Sequence, residues 1–421
     1  MSTASIDRAA TAEKFRNALV DEILADHQAQ GRVLHLSVER AMRKVPRDLF
    51  TPGVTLEEAY ANTAVITNRR GGETISSVSA PYLVAEMIGQ AVDALGELEG
   101  RAVLEVGSGG YNAALLRELV GPSGSVTTVD IDPDVTDRAA ACLKVVGYHD
   151  VIVVCADAEH PVARDRRYDL IIVTAGAWDV PDSWRRQLNN GGVLVVPLRT
   201  FGMTRSWALR RFGDQMVSQS HRLCGFVSMQ GDGAHEMQYL DIADGVHLRL
   251  DEDQQVDPAD VADLLVQPRH QVWAEVSLPP RTVLSDLDLW LASRLTREPA
   301  EFVVLTAQEE AVEAGIVAPS WRFGVPAAFE QGAFSYRSAL RWTDRLFDPG
   351  VCAHGPEAEG AAERMVEHMR AWVDADSPSP ALHVLAAQTP DGDLPDGTVL
   401  DKRHSRFVLN FTSSPQEKGT R

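Results

Sequence analysis

Residues 101–130 read RAVLEVGSGGYNAALLRELVGPSGSVTTVD, and the fold is decided by this stretch. Ala102-Val103-Leu104-Glu105-Val106 is a short apolar run of the length of a buried parallel strand. Gly107, Gly109 and Gly110 then let the backbone turn sharply and leave room for a ligand. From Tyr111 the spacing becomes helical, with Ala114, Leu115, Leu119 and Val120 as the apolar positions. A second apolar strand, Ser125 to Val129, ends on Asp130. Strand, glycine turn, helix and strand ending in an acid make the first unit of a Rossmann-like nucleotide-binding sheet.

Such a unit can hold NAD, FAD or S-adenosylmethionine. The dinucleotide fingerprint calls for a third glycine where this chain has Asn112, and for a helix N-terminus free to take a pyrophosphate. Glu105, just ahead of the first glycine, suits the cationic sulfonium and amino group of S-adenosylmethionine better than a phosphate. Asp130 is placed to accept hydrogen bonds from ribose hydroxyls. The plain alternative is a glycine turn without a ligand and an Asp that only caps the next helix; the complete set of flanking elements weighs against it.

The alternation continues beyond Asp130. Strands are predicted at Val151 to Cys155, Tyr168 to Thr174 and Val193 to Pro197, with helices at Asp134 to Val146 and Pro181 to Leu188. Strands alternating with helices imply an α/β fold, a parallel sheet covered on both faces, with ligands at the carboxyl ends of its strands. Asp130, Asp157 and Ala175-Gly176 all fall at those ends, beside Gly107 to Gly110. Upstream, helices are predicted over Thr11 to Gln30 and from Ser37, as N-cap, to Val45. Between Gly71 and Pro81 lies a loop rich in small and hydroxyl residues, including Ser76, Ser77 and Ser79. By composition these are cap and turn residues; as a functional array they could hold a carboxylate through hydroxyl and N–H bonds. A helix with Leu83, Val84, Met87, Ile88 and Val92 follows, and a hairpin turns at Gly213-Asp214.

With 421 residues the chain has room for two or three domains. The expected division is residues 1–75 as N-terminal helices and substrate-side segment, 76–231 as nucleotide-binding domain, and 232–421 as an additional α+β domain. The formal charge of −20 argues against a broad nucleic-acid surface or an anionic membrane as partner. Four scattered cysteines without a CxxC pair argue against a zinc site or a disulfide framework, and suggest reduced, mostly buried thiols. No apolar run approaches the ~18 residues that span a bilayer, and the N-terminal residues lack a signal-like core, so a cytoplasmic location is expected. His160, His221, His235 and His247 lack a nucleophile partner or metal-ligand spacing and read as structural or surface residues, with no metal expected. The acidic run Asp251-Glu252-Asp253 reads as a solvated face.

Taken together, Val45-Pro46-Arg47 with Phe50, the hydroxyl stretch from Thr74-Ile75-Ser76 to Ser79-Ala80-Pro81, VLEVGSGGYNAALL and GFVSMQG resemble the protein L-isoaspartate O-methyltransferase family over about residues 10–231. The resemblance implies a Rossmann-like fold, S-adenosylmethionine as cofactor with S-adenosylhomocysteine as product, and methylation of a side-chain carboxylate in a peptide or protein. It places Glu105, Gly107, Ser108, Gly109, Asp130, Asp157 and Ala158 in the cofactor site, with Tyr111, Asn112, Ile131 and Thr174 as further candidates beside them. Aligned through Ser-Ala-Pro, the substrate-loop serine is Ser79; aligned through Thr-Ile-Ser it is Ser76; Ser77 lies between the two anchors.

Three departures distinguish this chain: a glycine loop shorter by one residue, Asn62 near Tyr60 where repair enzymes tend to carry Asp, and the large C-terminal extension. These look more like an actinobacterial branch that tailors ribosomal peptides, including FxLD-type lanthipeptide methyltransferases. That likeness implies methylation of an ordinary Asp, closure to an aspartimide, and a C-terminal region that recognises the peptide. The alternative is repair of isoaspartate in damaged proteins.

Overall fold

The computed structural model describes residues 3–107, 109–251, 254–296, 300–318 and 324–412. The first helix, Thr3–Ala29, begins well before the expected Thr11. The second, Leu36–Lys44, is entered through His35, so Ser37 sits inside its first turn and is not the N-cap. The reason is local: Leu34 is buried and the His35 ring is tied to Asp93 at 2.7 Å, which sets where the chain can turn. Asn62 caps the third long helix, Pro81–Leu95, by accepting a hydrogen bond from the Tyr82 N–H at 3.0 Å.

The hydroxyl stretch is a strand, not the expected loop. Strands β1 (Val65–Arg70) and β2 (Glu73–Val78) form an antiparallel hairpin around Gly71 and Gly72, both at positive φ as a tight hairpin turn requires. Pairing of Val65 with Val78 and of Ile66 with Ser77 provides the β-branched partners that the serine-rich strand lacks on its own.

The central sheet follows as β3 (Ala102–Val106), β4 (Ser125–Asp130), β5 (Ile152–Cys155), β6 (Tyr168–Val173) and β7 (Leu188–Thr200), all parallel, in the spatial order β5-β4-β3-β6-β7. The antiparallel strands β8 (Met203–Phe212) and β9 (Gln215–Leu223) continue it beyond β7. Side chains alternate between its faces. Val103, Leu170, Ile172 and Val193 pack under the N-terminal helices and helix Tyr111–Val120. Leu104, Val106, Ile171 and Val173 face the opposite way.

That opposite face is covered by the C-terminal half. A second, antiparallel sheet contains β10 (Gln238–Ala243), β11 (Val246–Leu250), β12 (His270–Trp273), β13 (Glu301–Ala307), β14 (Val325–Glu330), β15 (Ala333–Thr343) and β16 (Leu346–His354). Phe302 and Val351 of this sheet, with Met365 and Trp372 of helix Ala358–Asp374, share one apolar core with Leu104, Ile171, Trp184 and Trp207. The chain then returns: β17 (Ser379–Ala386) pairs with β9, and β19 (Ser405–Thr412) with β18 (Thr398–Asp401) extends the first sheet to ten strands. The second sheet spans residues 238–354, and residues 379–412, expected in the additional C-terminal domain, pair into the first sheet.

Two further expectations are corrected. Asp251 is buried, not solvated: its carboxylate accepts from Arg199 Nε at 2.5 Å and from the Gly202 N–H at 3.3 Å. Its neighbours Glu252 and Asp253 lie outside the described residues. Among the cysteines, Cys142 and Cys352 are buried, but Cys224 is half-buried and Cys155, at the end of edge strand β5, is exposed. His221 is half-buried beside Trp207, where desolvation, then Arg205 and Arg222, push its pKa down to about 3. No helix among the described residues is long and apolar enough to cross a membrane.

Removing one partner of a buried ion pair strands the other charge. Asp251→Ala is therefore expected to destabilise the chain by about 3–5 kcal/mol, read as a lower urea midpoint. An unchanged midpoint would show that the pair does not hold the two sheets together.

Candidate active site

Strand order reverses beside β3, since β4 lies on one side of it and β6 on the other. The chain therefore departs in opposite directions there and leaves a crevice at the carboxyl ends of β3 and β6. The crevice encloses about 630 Å³ of atom-free space, its mouth included. On the sheet side it is lined by Gly107, Asp130, Ile131, Asp157, Ala158 and Thr174; Ser76 and Ser77 of β2 and the segment Val227–Gln230 form the facing wall. A smaller hollow on the other side of Gly107 is bordered by Ser77, Ser79, Gly109, Tyr111 and Asn112. Ser108 lies outside the described residues.

Local chemistry explains each wall. Gly110 precedes helix Tyr111–Val120 at φ +92°, and a Cβ there would press at 3.3 Å on Ala139 and Phe50, so the turn is reserved for glycine. Thr174 donates both its N–H and its hydroxyl to the Val106 carbonyl, at 2.8 and 3.1 Å, which joins the ends of β3 and β6. The Asp130 carboxylate accepts from the Asp132 N–H at 2.9 Å at the end of β4. Asp157 is held by two backbone N–H groups, of Glu159 at 2.9 Å and of Asp232 at 2.8 Å, so it braces the wall as well as lining it.

Glu105 departs from its expected place. It is fully buried behind the glycine turn and lines neither hollow. Its carboxylate accepts from Asn112 Nδ2 at 3.1 Å and from Thr128 Oγ1 at 2.5 Å. Strand alternation turns position 105 inward, so Glu105 orients Asn112 while Asn112 borders the hollow. The Asn112 Oδ1 is buried with no partner among the described residues. Tyr111 is buried too, its hydroxyl pushed up by desolvation, and the Arg47 guanidinium lies over its ring at 5.0 Å. Arg47 is itself buried and donates to the carbonyls of Ala59, Thr63 and Val78, which anchors the end of β2.

Of the three serines, Ser76 Oγ is bonded to Thr67 Oγ1 at 3.0 Å. Ser77 borders both hollows and Ser79 the smaller one. Sequence reasoning missed the roof. Gly176 donates to the Val227 carbonyl at 2.7 Å and accepts from the Met229 N–H at 2.9 Å, while Gln230 Nε2 donates to the Ile75 carbonyl at 3.0 Å. The motif Gly225–Gly231 was visible as a boundary, but nothing in its spacing shows that it folds back over the crevice. Among the described residues lining the two hollows there is no Lys or Arg. No group of three His, Cys, Asp or Glu among the described residues is arranged to hold a metal ion.

The first half of the chain is similar to proteins of one known family. Residues 17–233 match the family model described as protein-L-isoaspartate(D-aspartate) O-methyltransferase. A protein-L-isoaspartate O-methyltransferase of Ignicoccus hospitalis is 40% identical over 178 residues, which is 42% of this chain and 80% of that protein. One from Methanopyrus kandleri is 36% identical over 222 residues, 52% of this chain and 92% of that protein. A solved structure titled protein-L-isoaspartate O-methyltransferase aligns over 94% of this chain and 99% of its own at 19% identity, with a TM-score of 0.47.

Glu105→Ala would leave Asn112 Nδ2 and the Thr128 hydroxyl buried without their acceptor. The expected cost is about 1.5–3 kcal/mol, with Glu105→Gln milder because an amide oxygen can still accept. Thermal unfolding of the two variants checks this; equal melting temperatures for Glu105→Ala and the parent would contradict it.

Proposed function

The chain belongs to the protein-L-isoaspartate(D-aspartate) O-methyltransferase family, whose members are S-adenosylmethionine-dependent protein carboxyl O-methyltransferases, and from that premise we propose its acceptor and its site residues. The acceptor is the side-chain carboxylate of an Asp in a ribosomally made, lanthipeptide-type peptide, and the ester then closes to an aspartimide that can open to isoaspartate. The observation that carries the narrower reading is the second sheet, residues 238–354, fixed by a shared core onto the methyltransferase sheet and lying beyond the 17–233 match. A peptide-recognition role gives that addition a use. Repair of isoaspartate in damaged proteins is the second reading, favoured by the names of the curated relatives.

The crevice suits the cofactor by its donor set. Asp130 at the end of β4 accepts ribose hydroxyls, the orphan Asn112 Oδ1 accepts from the ammonium end, and Gly107 with Gly109 allows close backbone approach. Ile131, Asp157, Ala158 and Thr174 complete that wall, and Tyr111 closes the smaller hollow. When bound, S-adenosylmethionine supplies an electrophilic methyl group whose leaving group is a neutral thioether.

The chain's own task is then to present a nucleophile in line. A carboxylate, with a reference pKa near ~4, is already ionised at neutral pH, so no strong base is needed. Ser77 and Ser79 donate hydroxyl hydrogen bonds that aim the acceptor carboxylate without protonating it, and proximity contributes the greater part of the rate. Ser76, occupied with Thr67, steadies the strand. In the ester, methoxide is a far better leaving group than oxide. The next backbone nitrogen attacks the ester carbonyl, and its proton leaves with methoxide as methanol, forming the five-membered ring.

Asp130→Ala is expected to weaken S-adenosylhomocysteine binding by about 1.5–3 kcal/mol; unchanged calorimetric affinity would mean that another acid holds the ribose. Mass spectrometry with S-adenosylmethionine on two substrates separates the acceptor readings. Gain of one methyl, then loss of methanol, on a cyclised ribosomal peptide with an ordinary Asp, and not on a plain isoaspartyl peptide, is the expected outcome. Methylation of the plain isoaspartyl peptide instead would return the chain to repair.

A further inference from the structure

The family match ends at residue 233, yet the last turn of the chain reaches the cofactor wall. The turn between β18 and β19 lies against the loop that carries Asp157 and the loop that carries Asp232. His404 Nε2 meets the Glu159 carboxylate at 2.7 Å, where the Glu159 side chain is only 9% exposed. Arg403 donates to the Asp232 carbonyl at 2.5 Å. The turn is fixed in its own place by Asp179, which accepts from the His404 N–H at 2.6 Å and from the Ser405 hydroxyl. Glu159 and Asp232 are the residues whose N–H groups hold the two oxygens of Asp157, at 2.9 and 2.8 Å. There is no slack in that arrangement, because a Cβ on Gly231 would collide with the Asp157 carboxylate.

We infer that Arg403 and His404 are positioning residues for cofactor binding: through Asp232 and Glu159 they set the Asp157 wall of the crevice from the far end of the chain. This rests on the reading of the crevice as the S-adenosylmethionine site. A carboxylate that accepts backbone N–H bonds stands only as still as the loops that donate them, and such outer partners tune a site nearly as much as the groups that touch the ligand. The 157–160 and 231–233 loops carry no regular helix or strand longer than a single 3-10 turn, so their contacts with 403–405 supply rigidity that the local backbone lacks. The extension beyond the family match therefore serves the cofactor site as well as any peptide.

The test uses the full-length chain and S-adenosylhomocysteine calorimetry, with KM and kcat beside it. Arg403→Ala, at an exposed side chain, and His404→Ala are each expected to weaken binding about five- to tenfold. Both should raise KM for S-adenosylmethionine while kcat at saturating cofactor and the KM of the peptide stay put. His404→Gln, which can still donate to Glu159, should restore affinity to within about twofold. His383→Ala, on β17 and away from the crevice, serves as the control with parental affinity. Parental affinity in both Arg403→Ala and His404→Ala overturns the inference, even if their melting temperatures fall, since that pattern is a purely structural role. A loss in His404→Ala that His404→Gln does not recover also overturns it. A parent chain that does not bind S-adenosylhomocysteine removes the reading of the crevice itself, a result distinct from a parent that binds and variants that bind equally.

Discussion

Everything in this structure depends on the reversal of strand order beside β3. With β4 on one side and β6 on the other, the connections leave the sheet's carboxyl edge in opposite directions and cannot close over it. The gap falls where Gly107 turns, where Asp130 and Asp157 end their strands, and where Thr174 ties β6 to β3. A different strand order would scatter the same residues along an edge without a crevice. The chemistry expected there asks little of side-chain reactivity, because the nucleophile is already ionised and the transferred methyl already activated. A sparse set of hydroxyl and carboxylate groups on rigid strand ends is sufficient for it.

The second constraint is the core that the two halves share. Strands such as β3 and β6 are apolar on both faces and must be covered on both. The N-terminal helices cover one face; the second sheet and helix Ala358–Asp374 cover the other. The chain then returns as β17–β19 to the open edge of β9, which pairs that edge and leaves the short β18 as the edge strand. A buried pair crosses the same seam, Arg199 with Asp251, and within the C-terminal half Arg337 of β15 holds Asp288 of helix Leu284–Leu295 through two bonds at 2.6 and 3.1 Å. The two halves thus pack as one mechanical unit.

How much of this was legible in the sequence follows from the range of the interactions. Strands β3 to β7 were visible because each is a continuous apolar run with a turn or an acid at its end. The hydroxyl strand was not, because Ser76, Ser77 and Ser79 carry no periodic apolar signal and β2 exists through its pairing with Val65–Arg70. The charge of Glu105 suggested a ligand, while the fold shows its carboxylate turned inward to Asn112 and Thr128. Asp251 looked solvated in a run of acids, and only the fold shows Arg199 beside it. The return of β17–β19 joins segments far apart in the chain, and no local pattern announces such a pairing.

The most direct measurement of the account is hydrogen–deuterium exchange of the full-length chain with and without S-adenosylhomocysteine. Added protection is expected at residues 106–112, 129–131, 156–159 and 227–232, and with them in the distant turn 402–405. Protection confined to other strand ends, or a turn at 402–405 whose exchange does not change while the crevice becomes protected, would contradict it.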